Sequence, residues 1–234
     1  MENCIGHRVH FLDRHVVKFN ETDLLHEGDT QTFVYTALEG LSGAPHVPEV
    51  CACFEWSGMQ YLVMERVNLP TVETWIAGAA DAHEKHDRTN QACKAVSEAL
   101  RYLFAVSVPA NSCIGLIEGN FARQQSAQVL ARSGYAQHFF FGVDFTAPHR
   151  YASAHALELH VNKALTYRPR RSLPLTVEIS DERLVLVHGD IKPCNFLIDP
   201  STLHVTLIDF GGISVLPASF ISLSLHARTD RWHI

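Results

Sequence analysis

Two short polar motifs, each placed directly after an apolar run, constrain both the fold and the chemistry of this chain of 234 residues. The first, H-G-D-I-K-P-C-N at 188–195, follows L-V-L-V, and the second, D-F-G-G at 209–212, follows H-V-T-L-I. Such runs predict buried strands. The turn signal P-S-T between N-F-L-I-D and H-V-T-L-I-D-F predicts a hairpin. Because a hairpin returns its second strand beside its first, Asn195 and Asp209 are predicted to lie close together.

The residues in these motifs match the needs of phosphoryl transfer. That reaction requires a carboxylate to position the attacking hydroxyl, oxygen ligands for Mg²⁺ and a cation on the nucleotide phosphates. Asp190 follows a strand end and is the candidate carboxylate, while Asn195 and Asp209 are candidate ligands of one Mg²⁺ ion. Either motif alone is most often a turn, since Asp and Gly are common turn formers. Together, in this order and at this spacing, they favour phosphotransferase chemistry.

The stretch H-G-D-I-K-P-C-N followed by L-I-D-F-G-G resembles the aminoglycoside phosphotransferase and choline kinase family, relatives of protein kinases, and particularly its fungal members. The resemblance covers most of the chain and is sharpest at 184–212. It implies an α+β, bilobal protein kinase-like fold that uses ATP and Mg²⁺. It also implies that Asp190 is the catalytic base and that His188 braces its loop. By the same resemblance, Asn195 and Asp209 bind magnesium.

The lysine after Asp190 has two interpretations. The segment I-K-P is closer to the D-L-K-P of serine/threonine protein kinases, in which such a lysine neutralises charge on the transferred phosphoryl group. Lys192 is therefore a candidate catalytic residue, and the alternative is a solvent-facing loop lysine. A serine/threonine protein kinase-like enzyme is a further interpretation of the chain. The tail argues against it, because it lacks the A-P-E motif of enzymes with a peptide-binding activation segment.

The first part of the chain contains candidate nucleotide-binding residues. R-V-H-F-L-D-R-H-V-V-K-F at 8–19 predicts two short strands around a turn, with Lys18 in the second. The segment 23–38 has apolar residues near helical spacing. Lys18 resembles the strand lysine that contacts the α and β phosphates in the family, and Glu27 resembles its ion-pair partner in the helix. The alternative is that both residues are solvated surface charges.

A candidate adenine-binding strand follows. P-E-V-C-A-C-F-E-W and Q-Y-L-V-M-E-R-V, separated by a turn at Ser57 and Gly58, predict an antiparallel hairpin. Its second strand resembles the hinge strand of the family. The resemblance implies that backbone groups of Glu65 and Val67 contact the adenine edge and that Met64 borders the pocket. The alternative is a buried strand that ends at the surface.

The pattern changes after this strand and becomes mainly helical. A helix is predicted from about residue 90 and another over 153–165. We therefore expect a small antiparallel-sheet N-lobe with one helix over 1–67 and a mainly helical C-lobe over 68–234 that carries both motifs. The region 108–150 shows no clear periodicity and is expected to hold elements specific to the substrate.

Two departures from the family pattern leave other interpretations open. No G-x-G-x-x-G segment precedes Lys18, so the backbone roof over the phosphates is short or missing and weak nucleotide affinity is expected. Only 23 residues follow Gly211, where relatives usually continue through further helices, and the closing T-D-R-W is only loosely similar to a kinase helix. Truncation at both ends is one interpretation. A catalytically weak pseudoenzyme that binds nucleotide or a partner is another.

Composition narrows the class of protein. With 47% hydrophobic and 19% charged residues the chain is expected to fold, and its net charge of −6 gives no general attraction to nucleic acid or to an anionic membrane. No stretch approaches the roughly 18 apolar residues of a membrane span, and the N-terminus lacks a signal-peptide core. The six cysteines favour free thiols in a reducing compartment over a metal or disulfide framework. We expect a cytoplasmic enzyme that phosphorylates a hydroxyl of a small molecule, with its oligomeric state left open.

Overall fold

The computed structural model describes residues 8–20, 23–109, 112–124, 134–167 and 175–226. It is an α+β protein in which a four-stranded antiparallel sheet with one helix precedes a mainly helical part that carries two small two-stranded sheets. The fold class predicted from the sequence is therefore confirmed. The closing T-D-R-W segment lies outside the described residues.

The first sheet contains strands β1 (Arg8–Phe11), β2 (His15–Asn20), β3 (Val50–Trp56) and β4 (Met59–Glu65), in the spatial order β1-β2-β4-β3. All neighbouring strands are antiparallel. Lys18 pairs with Leu62 and Val16 pairs with Met64, so these four side chains lie on one face of the sheet. Both predicted strand pairs are confirmed.

Helix α1 (Leu24–Leu38) packs on that face, and its first two turns are enclosed on every side. Leu24 and Leu25 join Leu62 and Met64 in one buried cluster. All eight residues from 24 to 31 are buried, although five of them are polar or charged. A surface helix normally hides only one stripe. The start of α1 therefore has neighbours around its whole circumference.

The second part contains helices α2 (Val72–Ala77), α3 (Ala82–Ala105), α4 (Ala154–Thr166) and α5 (Ser219–His226), and strands β5 (Leu184–His188), β6 (Phe196–Ile198), β7 (Val205–Leu207) and β8 (Ile213–Pro217). Strand β5 pairs with β8, and β6 forms the predicted hairpin with β7. The helix predicted over 153–165 is confirmed by α4. Helix α2, strand β8 and helix α5 were not anticipated.

The prediction that α3 begins near residue 90 was wrong by about two turns, since it begins at Ala82. The Asp81 carboxylate accepts the Glu84 N–H at 2.8 Å, and the Glu84 carboxylate accepts the Ala80 N–H at 2.6 Å. This arrangement is a variant of the capping box, in which Glu84 accepts the N–H of the residue before the N-cap Asp81. The first turns are polar and largely exposed, so apolar periodicity could not reveal them.

One hydrophobic core joins the helix of the first part to the second part. Val34 and Leu38 at the end of α1 belong to the same buried cluster as Leu103 of α3 and Leu207 of β7. A second cluster packs α4 and α5 against β5 and β8. The shared core fixes the position of α1 relative to the two motif-bearing sheets.

The region predicted as irregular, 108–150, forms backbone hydrogen bonds with other parts of the chain at a few points. Within its described residues, Gly115 and Val215 exchange two backbone hydrogen bonds of 3.2 and 2.7 Å, and Ile114 bridges to Tyr151. The bridge at Gly115 attaches this region to the centre of β8. Among the described ranges, no helix has both the length and the apolar character to span a membrane.

The turn between β3 and β4 yields a test of the fold. Ser57 and Gly58 have φ of 51° and 75°, and a Cβ at position 58 would meet nothing within 4 Å. Gly58→Ala therefore carries only the cost of a left-handed conformation, and we expect it to lower the free energy of unfolding by about 1 kcal/mol. Urea denaturation measures the change.

The matched control is Gly78→Ala at the end of α2. Gly78 has an ordinary φ of −80°, and a Cβ at this position would meet its neighbours at ordinary van der Waals distances. Alanine there reduces the entropy of the unfolded chain, so the free energy of unfolding should stay the same or rise by about 0.5 kcal/mol. Equal losses in the two variants would contradict the turn assignment.

Candidate active site

The first motif forms a loop that begins at His188, the last residue of strand β5. The Gly189 N–H donates to the Gly212 carbonyl at 2.8 Å, which ties this loop to the second motif. A Cβ at position 189 would overlap the backbone of Gln137 and His138, so only glycine allows the loop to lie this close. The next residue, Asp190, is thereby held at the end of the sheet that β5 and β8 form.

The side chain of Asp190 is held by its neighbours in the loop. Lys192 Nζ lies 2.6 Å from Asp190 Oδ2. The Asn195 side-chain N–H donates to the Asp190 carbonyl at 2.8 Å. The Asp190 side chain is 22% exposed, so its carboxylate is fixed and still accessible. The three residues that the sequence proposed for one loop are brought together.

His188 lies beneath this loop and is 1% exposed. Its Nδ1 accepts the Asp190 N–H at 3.3 Å, and its ring centroid is 5.7 Å from that of Phe196. Burial lowers the pKa of His188, and the charges of Asp209 and Asp190 oppose that shift only in part. A neutral imidazole therefore supports the backbone at Asp190. This geometry matches a bracing position.

The hairpin brings the two candidate magnesium ligands to neighbouring positions. The Ile208 N–H donates to the Asn195 carbonyl at 3.2 Å, and Asp209 follows directly in a left-handed conformation with φ of 64°. The amide nitrogen of Asn195 is used on Asp190, which leaves its Oδ1 with only the weak Cys194 thiol donor, 3.4 Å away, in the part of the chain that is described. An amide oxygen beside a carboxylate is a donor set that suits Mg²⁺, which fills its other positions with phosphate and water.

Lys18 connects the first sheet, α1 and the second motif. Its Nζ lies 2.7 Å from both Glu27 Oε1 and Asp209 Oδ1. The side chains of Lys18 and Glu27 are 13% and 1% exposed. Burial alone would lower the pKa of Lys18, but the charges of Asp209 and Glu27 outweigh it and raise that pKa above its usual range. The ammonium is protonated, and the ion pair predicted between Lys18 and Glu27 is present.

The predicted hinge residues lie at the end of β4. Met64 is buried between the sheet and α1, and Gln31 Nε2 lies 3.7 Å from its sulfur. The Glu65 side chain contacts His46 Nε2 at 3.0 Å. Val67 is half-buried just beyond the strand. Met64 thus shares the Lys18 face of the sheet, while contacts of the three residues with adenine stay a prediction.

Sequence reasoning missed the support under the loop that carries Asp190. The Gln137 N–H donates to Ser214 Oγ at 2.7 Å, and fully buried His138 lies 2.9 Å from Ser224 Oγ through Nε2 while its Nδ1 accepts the Phe140 N–H at 3.0 Å. The contact of Gly189 with this backbone makes 137–138 part of the site. Fifteen scattered histidines gave no signal that one of them was buried here.

Comparisons with known proteins agree with this fold. A family model described as "Phosphotransferase enzyme family" matches residues 6–220. A thermostable mutant of aminoglycoside phosphotransferase APH(4)-Ia, solved in its apo form, superposes with a TM-score of 0.55 at 14% identity, covering 98% of this chain and 71% of that one. The GDP complex of aminoglycoside 2'-phosphotransferase-IIIa gives 0.53 at 13% identity, covering 96% and 70%. No curated protein sequence matches. At these identities the structures establish the fold alone.

The lowered pKa of His138 allows a pH test of the support under the loop that carries Asp190. Burial lowers the pKa of His138 to about 4, partly offset by a hydrogen bond with the Phe220 backbone. Between pH 6.5 and 4 the unfolded chain therefore binds a proton that the folded chain excludes, so the free energy of unfolding falls as the pH falls. This residue should account for up to about 3 kcal/mol of that loss.

Urea denaturation at about pH 7 and about pH 4.5 measures the effect in His138→Gln, which should show a flatter pH dependence even if it is less stable at neutral pH. His188 acts in the same direction, so the slope should decrease without vanishing. The control is His155→Gln, which removes an exposed histidine that also lies beside a serine, Ser180. A His138→Gln slope equal to that of the wild-type protein would contradict the assignment.

Proposed function

The chain belongs to the phosphotransferase enzyme family that its residues 6–220 match, and we propose that it transfers the γ-phosphoryl group of Mg-ATP to a hydroxyl on a small molecule. One observation carries the proposal: Lys18 Nζ bridges Glu27 and Asp209 at 2.7 Å each, beside a hairpin that also holds Asn195. The arrangement supplies a cation for phosphates and oxygen ligands for a metal in one place.

Asp190 is the proposed catalytic base. Its accessible carboxylate would accept a hydrogen bond from the substrate hydroxyl and align the oxygen with the γ-phosphorus. As the new P–O bond forms, the bond to the bridging oxygen of ADP breaks, and the hydroxyl proton passes to Asp190 and then to solvent. Lys192, 2.6 Å from the same carboxylate, would neutralise charge on the group in transit.

The other residues would hold the nucleotide. Asp209 and Asn195 would bind Mg²⁺, which neutralises phosphate charge when bound. Lys18 would contact the α and β phosphates, with Glu27 fixing its direction. The structural relative solved with GDP supports a nucleotide site and makes GTP a second donor to test.

The adenine site is the least constrained part of the proposal. Backbone groups of Glu65 and Val67 would contact the adenine edge, and Met64 would border the pocket behind it. In this scheme residues 1–67 form the nucleotide-binding lobe and 68–234 the catalytic lobe. A cytoplasmic location and the resemblance to fungal members and choline kinases stay predictions from the sequence.

Replacing the proposed base gives the first test. Asp190→Asn should reduce phosphate transfer by about 100-fold or more, because an amide cannot accept the hydroxyl proton, while Mg-ATP binding changes little. ATP and GTP consumption are measured with a panel of amino alcohols, sugars and aminoglycosides, and nucleotide binding is measured by calorimetry. Asp199→Asn is the control, since the Asp199 side chain lies in the β6–β7 turn, where it accepts hydrogen bonds from the N–H and the hydroxyl of Ser201.

The outcomes separate the alternatives. Equal turnover in Asp190→Asn and wild type would defeat this mechanism. Nucleotide binding without consumption across the panel would favour a pseudoenzyme. Phosphate transfer to generic protein substrates, with none to small molecules, would favour a protein kinase-like enzyme.

A second test concerns the metal. Asp209→Asn should raise the Mg²⁺ concentration needed for half-maximal nucleotide binding at least about tenfold, because it removes a charged ligand. It also removes one of two carboxylates from Lys18, so nucleotide binding is titrated with Mg²⁺ at fixed ATP in Asp209→Asn, Asn195→Ala and wild type. An unchanged Mg²⁺ requirement in both variants would exclude this pair as the metal site.

A further inference from the structure

A second carboxylate of α1, Asp29, is buried in an unusual way. Its side chain accepts three backbone N–H groups from one loop: Gly119 at 2.9 Å and Ala122 at 2.8 Å on Oδ2, and Phe121 at 3.0 Å on Oδ1. The residue is 5% exposed, and no Lys or Arg of the described ranges forms an ion pair with it. Three backbone dipoles therefore balance a buried charge, which makes these hydrogen bonds strong and costly to lose.

The loop is shaped to receive this carboxylate. A Cβ at Gly119 would overlap Asp29 Oδ1, so the close approach requires glycine. The Phe121 side chain packs against the cluster that contains Leu24 of α1. His26, also on α1, lies 3.2 Å from the Ile117 carbonyl through Nδ1. Polar and apolar contacts thus join the start of α1 to residues 117–122.

The other end of this loop is attached to strand β8, which follows the proposed metal ligand Asp209 in the chain. Gly115 exchanges two backbone hydrogen bonds with Val215 of β8, and Leu116 donates to the Gly134 carbonyl at 3.2 Å. Strand β8 begins at Ile213, directly after the turn that follows Asp209. The loop therefore connects α1 to the strand that continues from the second motif.

We propose that Asp29 is a positioning residue for phosphoryl transfer, which holds α1 against the 115–122 loop so that Glu27 keeps Lys18 directed at the nucleotide phosphates. This inference rests on the proposed function of the site. Glu27 and Asp29 belong to the same two turns of α1, so a shift of the helix that separates Asp29 from the loop also moves Glu27. The position of Lys18 then depends on a residue that touches neither nucleotide nor substrate.

The chemistry of the contact requires a carboxylate. Both oxygens of Asp29 accept hydrogen bonds, whereas an asparagine has one acceptor oxygen and would turn its NH₂ group toward a backbone donor. Asp29→Asn keeps the size of the side chain but leaves at least one buried N–H without its partner. We expect α1 to separate from the loop more often in this variant.

The matched control is Glu158→Gln. Glu158 Oε2 likewise accepts two backbone N–H groups, from Ile179 at 2.6 Å and Ser180 at 2.8 Å, but it lies on α4. Both variants lose a carboxylate that holds backbone donors. Only Asp29→Asn should act on Lys18.

Binding of two probes distinguishes positioning from general loosening. Asp29→Asn should raise the Kd of Mg-ATP roughly tenfold and leave the Kd of adenosine, which has no phosphates for Lys18, within about twofold. Glu158→Gln should change neither. In a Glu27→Gln background, Asp29→Asn should change the Mg-ATP Kd by less than about twofold, because the residue through which it acts is already altered.

Amide hydrogen exchange, measured without nucleotide, gives an independent readout. Asp29→Asn should speed exchange in α1 and in 115–122 and leave α4 unchanged. Glu158→Gln should speed exchange in α4 and leave α1 and 115–122 unchanged. If Asp29→Asn does not fold, Gly119→Ala tests the same contact from the loop side, with Asp29 unchanged. The same pattern of binding and exchange is expected.

Three results would overturn the inference: equal weakening of Mg-ATP and adenosine, an undiminished effect in the Glu27→Gln background, or unchanged exchange in α1. Absence of Mg-ATP binding by the wild-type protein would instead overturn the proposed function. The exchange experiment needs no nucleotide, so it would still decide whether Asp29 holds α1.

Discussion

The site depends on one buried ammonium, that of Lys18. Desolvating a charge in a protein interior is costly unless opposite charges and hydrogen bonds compensate for it. Lys18 meets this condition with carboxylates from two other elements, Glu27 on α1 and Asp209 after β7. The three charges sum to minus one. A divalent cation at Asp209 and Asn195, as proposed above, would change that sum to plus one, and bound nucleotide phosphates would offset the remaining positive charge.

The contacts around Lys18 close into a ring. From Asp209 the chain enters β8, whose Val215 pairs with Gly115; the following loop binds Asp29 of α1, and α1 carries Glu27 back to Lys18. The contacts of Val215 with Gly115, of Asp29 with the loop and of Lys18 with Asp209 are hydrogen bonds or ion pairs between elements far apart in sequence, and the chain itself supplies most of the other connections. A ring of this kind resists displacement of any single member, because a shift of α1 strains the ion pair and the loop together. The contacts of this ring lie at the first two turns of α1, which are the part of the helix that is buried on all sides.

Those parts of the fold and the candidate site that depend on residues close together in sequence could be predicted from the sequence. The strand pairs, the hairpin at Gly58 and the proximity of Asn195 to Asp209 follow from apolar runs and turn residues close to one another. Strand β8 could not be found this way, because the loop of the first motif and a hairpin separate it from its partner β5 in the sequence. Asp29 gave no signal either, since a polar residue in a helix predicts solvent exposure, and only the distant loop explains its burial. Lys18 and Glu27 were proposed only because a family resemblance supplied the tertiary context.

The support beneath the loop that carries Asp190 shows how far the candidate site extends from its motifs. Gly189 rests on the backbone of Gln137 and His138, and that segment is fixed in turn by Ser214 of β8 and Ser224 of α5. A protonated His138 would donate from both ring nitrogens, yet its Nδ1 already accepts the Phe140 N–H. Protonation must therefore break a hydrogen bond directly under the loop that presents Asp190. The neutrality of one buried histidine and the docking of α5 are thus conditions for the position of the Asp190 carboxylate, although neither lies within the two motifs.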